Sequence, residues 1–144
     1  MSDSTTTSVR FDPWPDEVVE RIGFHARSDY VERVWASAIG PTAVLALRSA
    51  VLLMESAGGP VTVELGDFAR SLGVGGGVGR NSIIVRTLAR LDAFDLAYAL
   101  PGGYALRLWL PPLRRSQLSR APVTVQLIHE RYVAERRGAP PLAS

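Results

Sequence analysis

Three arginines, Arg80, Arg86 and Arg90, fall within an eleven-residue span that contains no acid. Guanidinium groups free of carboxylate neighbours grip phosphate, and in bidentate geometry they read the acceptor edge of guanine. Asn81 and Ser82, beside Arg80, have short polar side chains suited to capping a helix. A helix start there, with its free amides, the flexible glycines before it and Arg80, is arranged to hold one phosphate. Arg107, Arg114, Arg115 and Arg120 extend the basic set. Arg80, Asn81, Ser82, Arg86, Arg90, Arg107, Arg114 and Arg115 are therefore the candidate nucleic-acid contacts. Each has a plainer reading: a solvated helix face for Arg86 and Arg90, a mobile loop for Arg80, an exposed ion pair with Asp95 for Arg107, and a solvated linker for Arg114 and Arg115.

Catalytic chemistry has less to stand on. The chain has no cysteine, and its two histidines, His25 and His129, have no companion motif. This argues against disulfides, cysteine-based zinc and nucleophilic thiols. His25 reads as a cap or surface residue and His129 as a solvated neighbour of Glu130. The glycines of Gly75-Gly76-Gly77-Val78-Gly79 do not satisfy G-x-G-x-x-G, and without lysine no phosphate loop ending in Lys-Ser or Lys-Thr exists. No enzyme activity and no cofactor are expected.

The elements that must position the arginines follow from periodicity. Leu65, Phe68, Ala69 and Leu72 recur at helical spacing and Gly73 closes that helix. A second helix, about Ser82 to Ala93, places Ile84, Leu88 and Leu91 on one face and Ser82, Arg86, Ala89, Arg90 and Ala93 on the other. Phe94, Leu96, Tyr98 and Leu100 alternate along one strand, and Tyr104, Leu106, Leu108 and Leu110 along the next. A turn centred on Gly102 puts all eight on one buried face, leaving Asp95, Ala97, Ala99, Ala105, Arg107 and Trp109 outside. Before this unit, Val61-Thr62-Val63 suits a short strand, and Pro41 to about Ser56 reads as a helix apolar on nearly every side except at Arg48. Such a helix must be covered, by the rest of the domain or by a second copy.

Helix, strand, helix, helix and hairpin in that order resemble the winged helix-turn-helix of bacterial regulators of the MarR and ArsR kinds. Phe68-Ala69-Arg70-Ser71-Leu72-Gly73-Val74 is similar to their Leu-Ala-x-x-Leu-Gly-Val helix, and Ile84-Val85-Arg86-Thr87-Leu88-Ala89-Arg90-Leu91 with Leu96 resembles their recognition helix and the start of the wing. The likeness covers about fifty residues of core spacing and implies fold more than function. It departs in three places. Val74 to Ile84 is ten residues where about five are usual, a Gly before the wing is Asp95 here and a frequent Ser is Val85; the wing tip also carries no arginine. Tyr30-Val31-Glu32-Arg33-Val34-Trp35, Gly40-Pro41-Thr42-Ala43 and the Gly-rich run into Arg86 further resemble a group of small uncharacterised actinobacterial proteins. That likeness implies a dedicated architecture around the winged helix and transfers no functional residue.

The expected organisation is mainly α with a small β-sheet: a disordered tail over 1–12, a helical extension over 13–40, the winged helix-turn-helix over 41–112, a second helical extension over 113–137 and a flexible end over 138–144. Net charge is +2, distributed as −3 over residues 1–60 (five Arg, eight acids), +1 over 61–110 (five, four) and +4 over 111–144 (six, two). All sixteen basic residues are arginine, a bias that fits a G+C-rich genome and carries no functional weight. The longest apolar run, Ala43 to Met54, is shorter than the ~20 residues that span a bilayer. A cytoplasmic, homodimeric transcriptional regulator on double-stranded DNA is the leading expectation. A winged-helix adaptor that docks a protein partner, favoured by the near-neutral 61–110 segment, the wing poor in basic residues and an exposed Trp109, is the alternative, and a regulator with a small-molecule pocket near Trp35 and Tyr30 is a third.

Overall fold

The computed structural model describes residues 7–138. The fold is mixed α/β. Its elements are β1 (Ser8–Trp14), α1 (Glu17–Ile22), β2 (Phe24–His25), α2 (Ala36–Ile39), α3 (Pro41–Ala57), β3 (Val61–Glu64), α4 (Leu65–Ser71), α5 (Ile83–Ala93), β4 (Ala97–Leu100), β5 (Gly103–Arg107), β6 (Trp109–Leu110), α6 (Arg115–Leu118) and α7 (Val123–Arg136). A π-helical turn, Val31–Trp35, runs directly into α2 and buries Val31, Val34 and Trp35.

The sheet overturns one expectation. Residues 8–12, read from composition as part of a disordered tail, belong to β1, an inner strand of the four-stranded order β3-β1-β5-β4. β1 runs antiparallel to β3 and parallel to β5. Val9 and Phe11 alternate inward, Phe11 fully buried and edge-on to Phe68 at 5.1 Å. Two apolar residues at period two among serines and threonines are too short a signal to stand out from a tail. The remainder of the expected tail, 1–6, and 139–144 of the expected C-terminal end lie outside the described residues.

The hairpin register also differs. Leu100 pairs with Gly103, Ala99 with Tyr104, Tyr98 with Ala105 and Ala97 with Leu106, so the loop is Pro101-Gly102 rather than a turn centred on Gly102. Pro101 supplies the fixed φ of the first corner and Gly102, at φ 78°, the left-handed second corner of a tight turn. A slip of one residue exchanges faces. On β4 Tyr98, expected inside, is 42% exposed and Ala97, expected outside, is buried opposite Leu106; β5 is covered on both faces, so Leu106 is buried as expected and Arg107, expected outside, is 8% exposed as well. Gly103 is required for a different reason: a Cβ there would collide with the Arg10 carbonyl of β1.

Over this sheet pack α3, α4 and α5. α4 starts at Glu64, whose carboxylate accepts the Gly66 and Asp67 N–H groups at 2.8 and 3.0 Å, and ends before Gly73 at φ 79°. α5 buries Ile84, Leu88 and Leu91, as its spacing predicts. α3 buries Ala43, Val44, Ala46, Leu47, Ala50, Val51 and Met54 but leaves Leu45, Leu52 and Leu53 exposed. The long linker between α4 and α5 is held to the core by Val74 and Val78, and Gly76 lies so close to the Arg70 guanidinium that a Cβ would meet it.

The flanking segments close on one another. Phe24 stacks on Tyr30 with ring centroids 3.8 Å apart, and Tyr132 of α7 meets both edge-on. Arg136 donates to the Gly23 and Arg21 carbonyls. Val125 is buried on α7, and Ile128 and Tyr132 pack partly buried against the core, while Val123 and Leu127 remain 70% and 62% exposed. One apolar stripe of α7, Val125, Ile128 and Tyr132, is thus used within the chain.

Candidate nucleic-acid interface

α5 begins at Ser82, whose Oγ accepts the Val85 N–H at 3.4 Å. Its inner face is fixed by Ile84, Leu88 and Leu91, and by Thr87, whose hydroxyl donates to the Ile83 carbonyl at 2.7 Å. Arg86 and Arg90 therefore stand one turn apart on the outer face, both exposed. Like charges at this spacing destabilise a helix by about 0.2–0.5 kcal/mol. Neither arginine has an ion pair among the described residues.

Both arginines line a cleft of about 350 Å³ that the first turn of α3 closes on the other side, through Gly40, Pro41 and Thr42. Gly40 holds φ 88° at the N-cap, Pro41 follows at the first helical position, and no side chain caps the helix. The partial positive charge at the start of a seventeen-residue helix thus adds to two unpaired guanidiniums. Among the described residues no carboxylate borders the cleft. An anion is the chemical complement of this place.

The remaining predicted contacts separate. Arg80 and Asn81 are exposed on the linker leading into Ser82, at the same end of α5. Arg114 and Arg115 are exposed at the start of α6, where Arg114 borders a cavity with Trp35 and Phe94 and Arg115 one with His129. Arg107 leaves the set. Its Nε donates to the Asp95 carbonyl at 2.7 Å, its Nη1 to Asp16 at 3.1 Å, and its guanidinium lies 3.7 Å from the Trp14 ring centre. The expected side-chain pair with Asp95 is replaced by a main-chain bond, and the ionic partner is Asp16, whose carboxyl is held below the usual carboxylate range by the Val19 N–H and by Arg107. Asp95 itself takes φ 64°, the left-handed conformation that a Gly would meet without strain.

Sequence reasoning missed two contributors. Gly40-Pro41-Thr42 reads as a helix start, but nothing in its spacing places it against residues 86 and 90. Arg10, assigned to the tail, sits opposite Gly103 in β1, its N–H bonded to the Gly102 carbonyl at 3.0 Å. An exposed cation, paired with Asp12 at 2.6 Å, therefore flanks the hairpin tip that carries no arginine of its own.

The histidines are engaged in structure. His25 Nε2 lies 2.7 Å from Glu55, which Arg27 also contacts; burial raises the Glu55 pKa, but these two partners outweigh it and the net shift is downward. His129 Nδ1 lies 2.7 Å from the Tyr30 hydroxyl, and burial lowers its pKa. Trp109, expected on an exposed face, is half-buried with its ring edge-on to His25. Among the described residues no three His, Asp or Glu side chains come together as a metal site, and no helix is long and apolar enough to cross a membrane. No family model, curated protein or solved structure matches the chain.

Proposed function

We propose that this chain is a DNA-binding protein of the winged helix-turn-helix plan, acting as a homodimeric transcriptional regulator in the cytoplasm, with a binding rather than a catalytic role. The observation that carries the reading is the unpaired Arg86 and Arg90 on the solvent face of α5, facing a cleft closed by the uncapped start of α3. The order α3, β3, α4, α5, β4, β5 supports the winged-helix plan, with β1 as an added strand between β3 and the hairpin. α5 would enter the major groove, Arg86 and Arg90 would meet phosphate or guanine, Arg80 would meet the backbone, and Arg10 would take the place of the missing wing arginine. Leu45, Leu52 and Leu53 on α3 offer the apolar face for a second subunit.

Fluorescence anisotropy of a labelled duplex titrated with protein at low salt tests the reading. Saturable binding that is lost in the Arg86→Ala/Arg90→Ala double variant supports it. No binding at low salt, or unchanged binding by the double variant, overturns it. The adaptor alternative keeps the near-neutral 61–110 segment and the wing poor in basic residues, while Trp109 is half-buried against His25.

A further inference from the structure

A second cavity, of about 290 Å³, opens at the C-terminal end of α5 and touches neither Arg86 nor Arg90. Its volume is at the lower end of what small-molecule ligands occupy, about 300 Å³ and upward. Trp35 and Phe94 supply apolar wall. Trp35 is 2% exposed and its indole N–H is already given to the Pro111 carbonyl at 2.9 Å, so it presents a fixed hydrophobic surface with no polar demand. Arg107 borders the cavity with most of its capacity used, Nε on Asp95 and Nη1 on Asp16, leaving Nη2 without a partner among the described residues. Gln117 is similarly half-used: its Oε1 accepts the Arg114 N–H at 2.8 Å.

The decisive pair is Asp95 and Arg114. They carry opposite charges and border the same cavity, yet neither makes an ion pair with the other or with anything else among the described residues. With Arg107 balanced by Asp16, the lining holds one cation, Arg114, and one anion, Asp95, both exposed and without an ion-pair partner among the described residues. A simple anion there would face Asp95 uncompensated, and a simple cation would face Arg114. A molecule with both charges and an apolar body satisfies all of the lining at once.

We propose that this cavity binds a small zwitterion with an apolar side chain, in the chemical class of the α-amino acids. The carboxylate lies against Arg114 and the free Nη2 of Arg107, the ammonium against Asp95, and the side chain against Trp35 and Phe94. The site shares no lining residue with the cleft of Arg86 and Arg90.

Calorimetric titration and thermal-shift measurements on the full chain with a panel of apolar α-amino acids test it, with 3-phenylpropionate and phenethylamine as analogues carrying one charge each. At least one amino acid is expected to bind saturably and raise Tm, with the one-charge analogues weaker by about tenfold or more, the value of one charge-assisted hydrogen bond. Asp95→Asn, which retains a residue tolerant of positive φ, and Arg114→Gln, at an exposed position, should each weaken the amino acid by a similar factor without lowering the Tm of the free protein. No binding by any member of the panel, equal binding by a one-charge analogue, or wild-type affinity in either variant overturns the proposal.

Discussion

Arg107 shows how one side chain can serve the fold where its type suggests a ligand contact. Its guanidinium joins the loop before β4, the cap of α1 and the ring of Trp14. Replacing it by Met keeps the stem but leaves the part-buried Asp95 carbonyl and the Asp16 carboxylate without their donor. Chemical denaturation is expected to show a loss of about 2 kcal/mol or more, with the DNA affinity of the folded protein unchanged. A loss confined to DNA affinity would return Arg107 to the interface. His129 offers a test by pH. Tyr30 receives the Leu113 N–H at 2.9 Å and its hydroxyl lies 2.7 Å from His129 Nδ1, which holds the imidazole in a partly buried place where its charged form is desolvated. The folded pKa of His129 is depressed below its ordinary 6.5. Its contribution to stability is therefore complete above the unfolded value, about 6.5, and is lost as pH falls through the lower folded value. Denaturation midpoints should drop on acidification from neutral pH, and His129→Gln should flatten that limb; an unaltered limb would place the titration elsewhere. At the alkaline side burial pushes the Tyr30 phenol up to about 12, so its contribution holds below its unfolded value of about 10 and declines as pH rises through the folded one.

At the scale of elements, β1 decides whether the N-terminal segment is an appendage or part of the core. It separates β3 from the hairpin and gives the sheet its parallel pair. Phe11→Ala removes a fully buried ring packed on Phe68 and should cost about 3–5 kcal/mol in denaturant titrations; a cost near zero would make β1 peripheral. The helices were legible because apolar spacing and caps act locally: Ser82 with Ile84, Leu88 and Leu91 defines α5 without reference to anything distant. The sheet was less legible because its register depends on a single choice. Pro101-Gly102 and a turn centred on Gly102 differ by one residue, and that residue decides whether Ala97 or Tyr98 shares the inward face with Leu106. The place of β1 rests on pairing across about ninety residues of chain, which local alternation at Val9 and Phe11 does not encode. The cleft was half legible: its arginines follow from helical projection, whereas its other wall is the start of α3, set by tertiary packing.

For the whole molecule, α3 carries exposed leucines along its length and meets the positive charge of α5 at its start. Leu45 and Leu52 are one face of α3, 51% and 48% exposed, and the dimer reading assigns them to subunit pairing. Sedimentation velocity should show a dimer for the native chain and a monomer for Leu45→Glu/Leu52→Glu with unchanged circular dichroism; a native monomer, or a dimer surviving the substitution, removes α3 from the interface. The positive charge belongs to α5 and the first turn of α3, where no carboxylate among the described residues offsets it. Phosphate binding there releases condensed counterions, so the logarithm of affinity falls with the logarithm of salt by about 0.9 per phosphate neutralised. The most direct measurement is this slope, from anisotropy titrations of duplex DNA across a salt series for the native chain and for Arg86→Ala/Arg90→Ala. Per subunit, two lost phosphate contacts make the variant's slope shallower by about two units, with weaker binding at every salt concentration. Equal slopes and equal affinities would contradict a nucleic-acid role for α5.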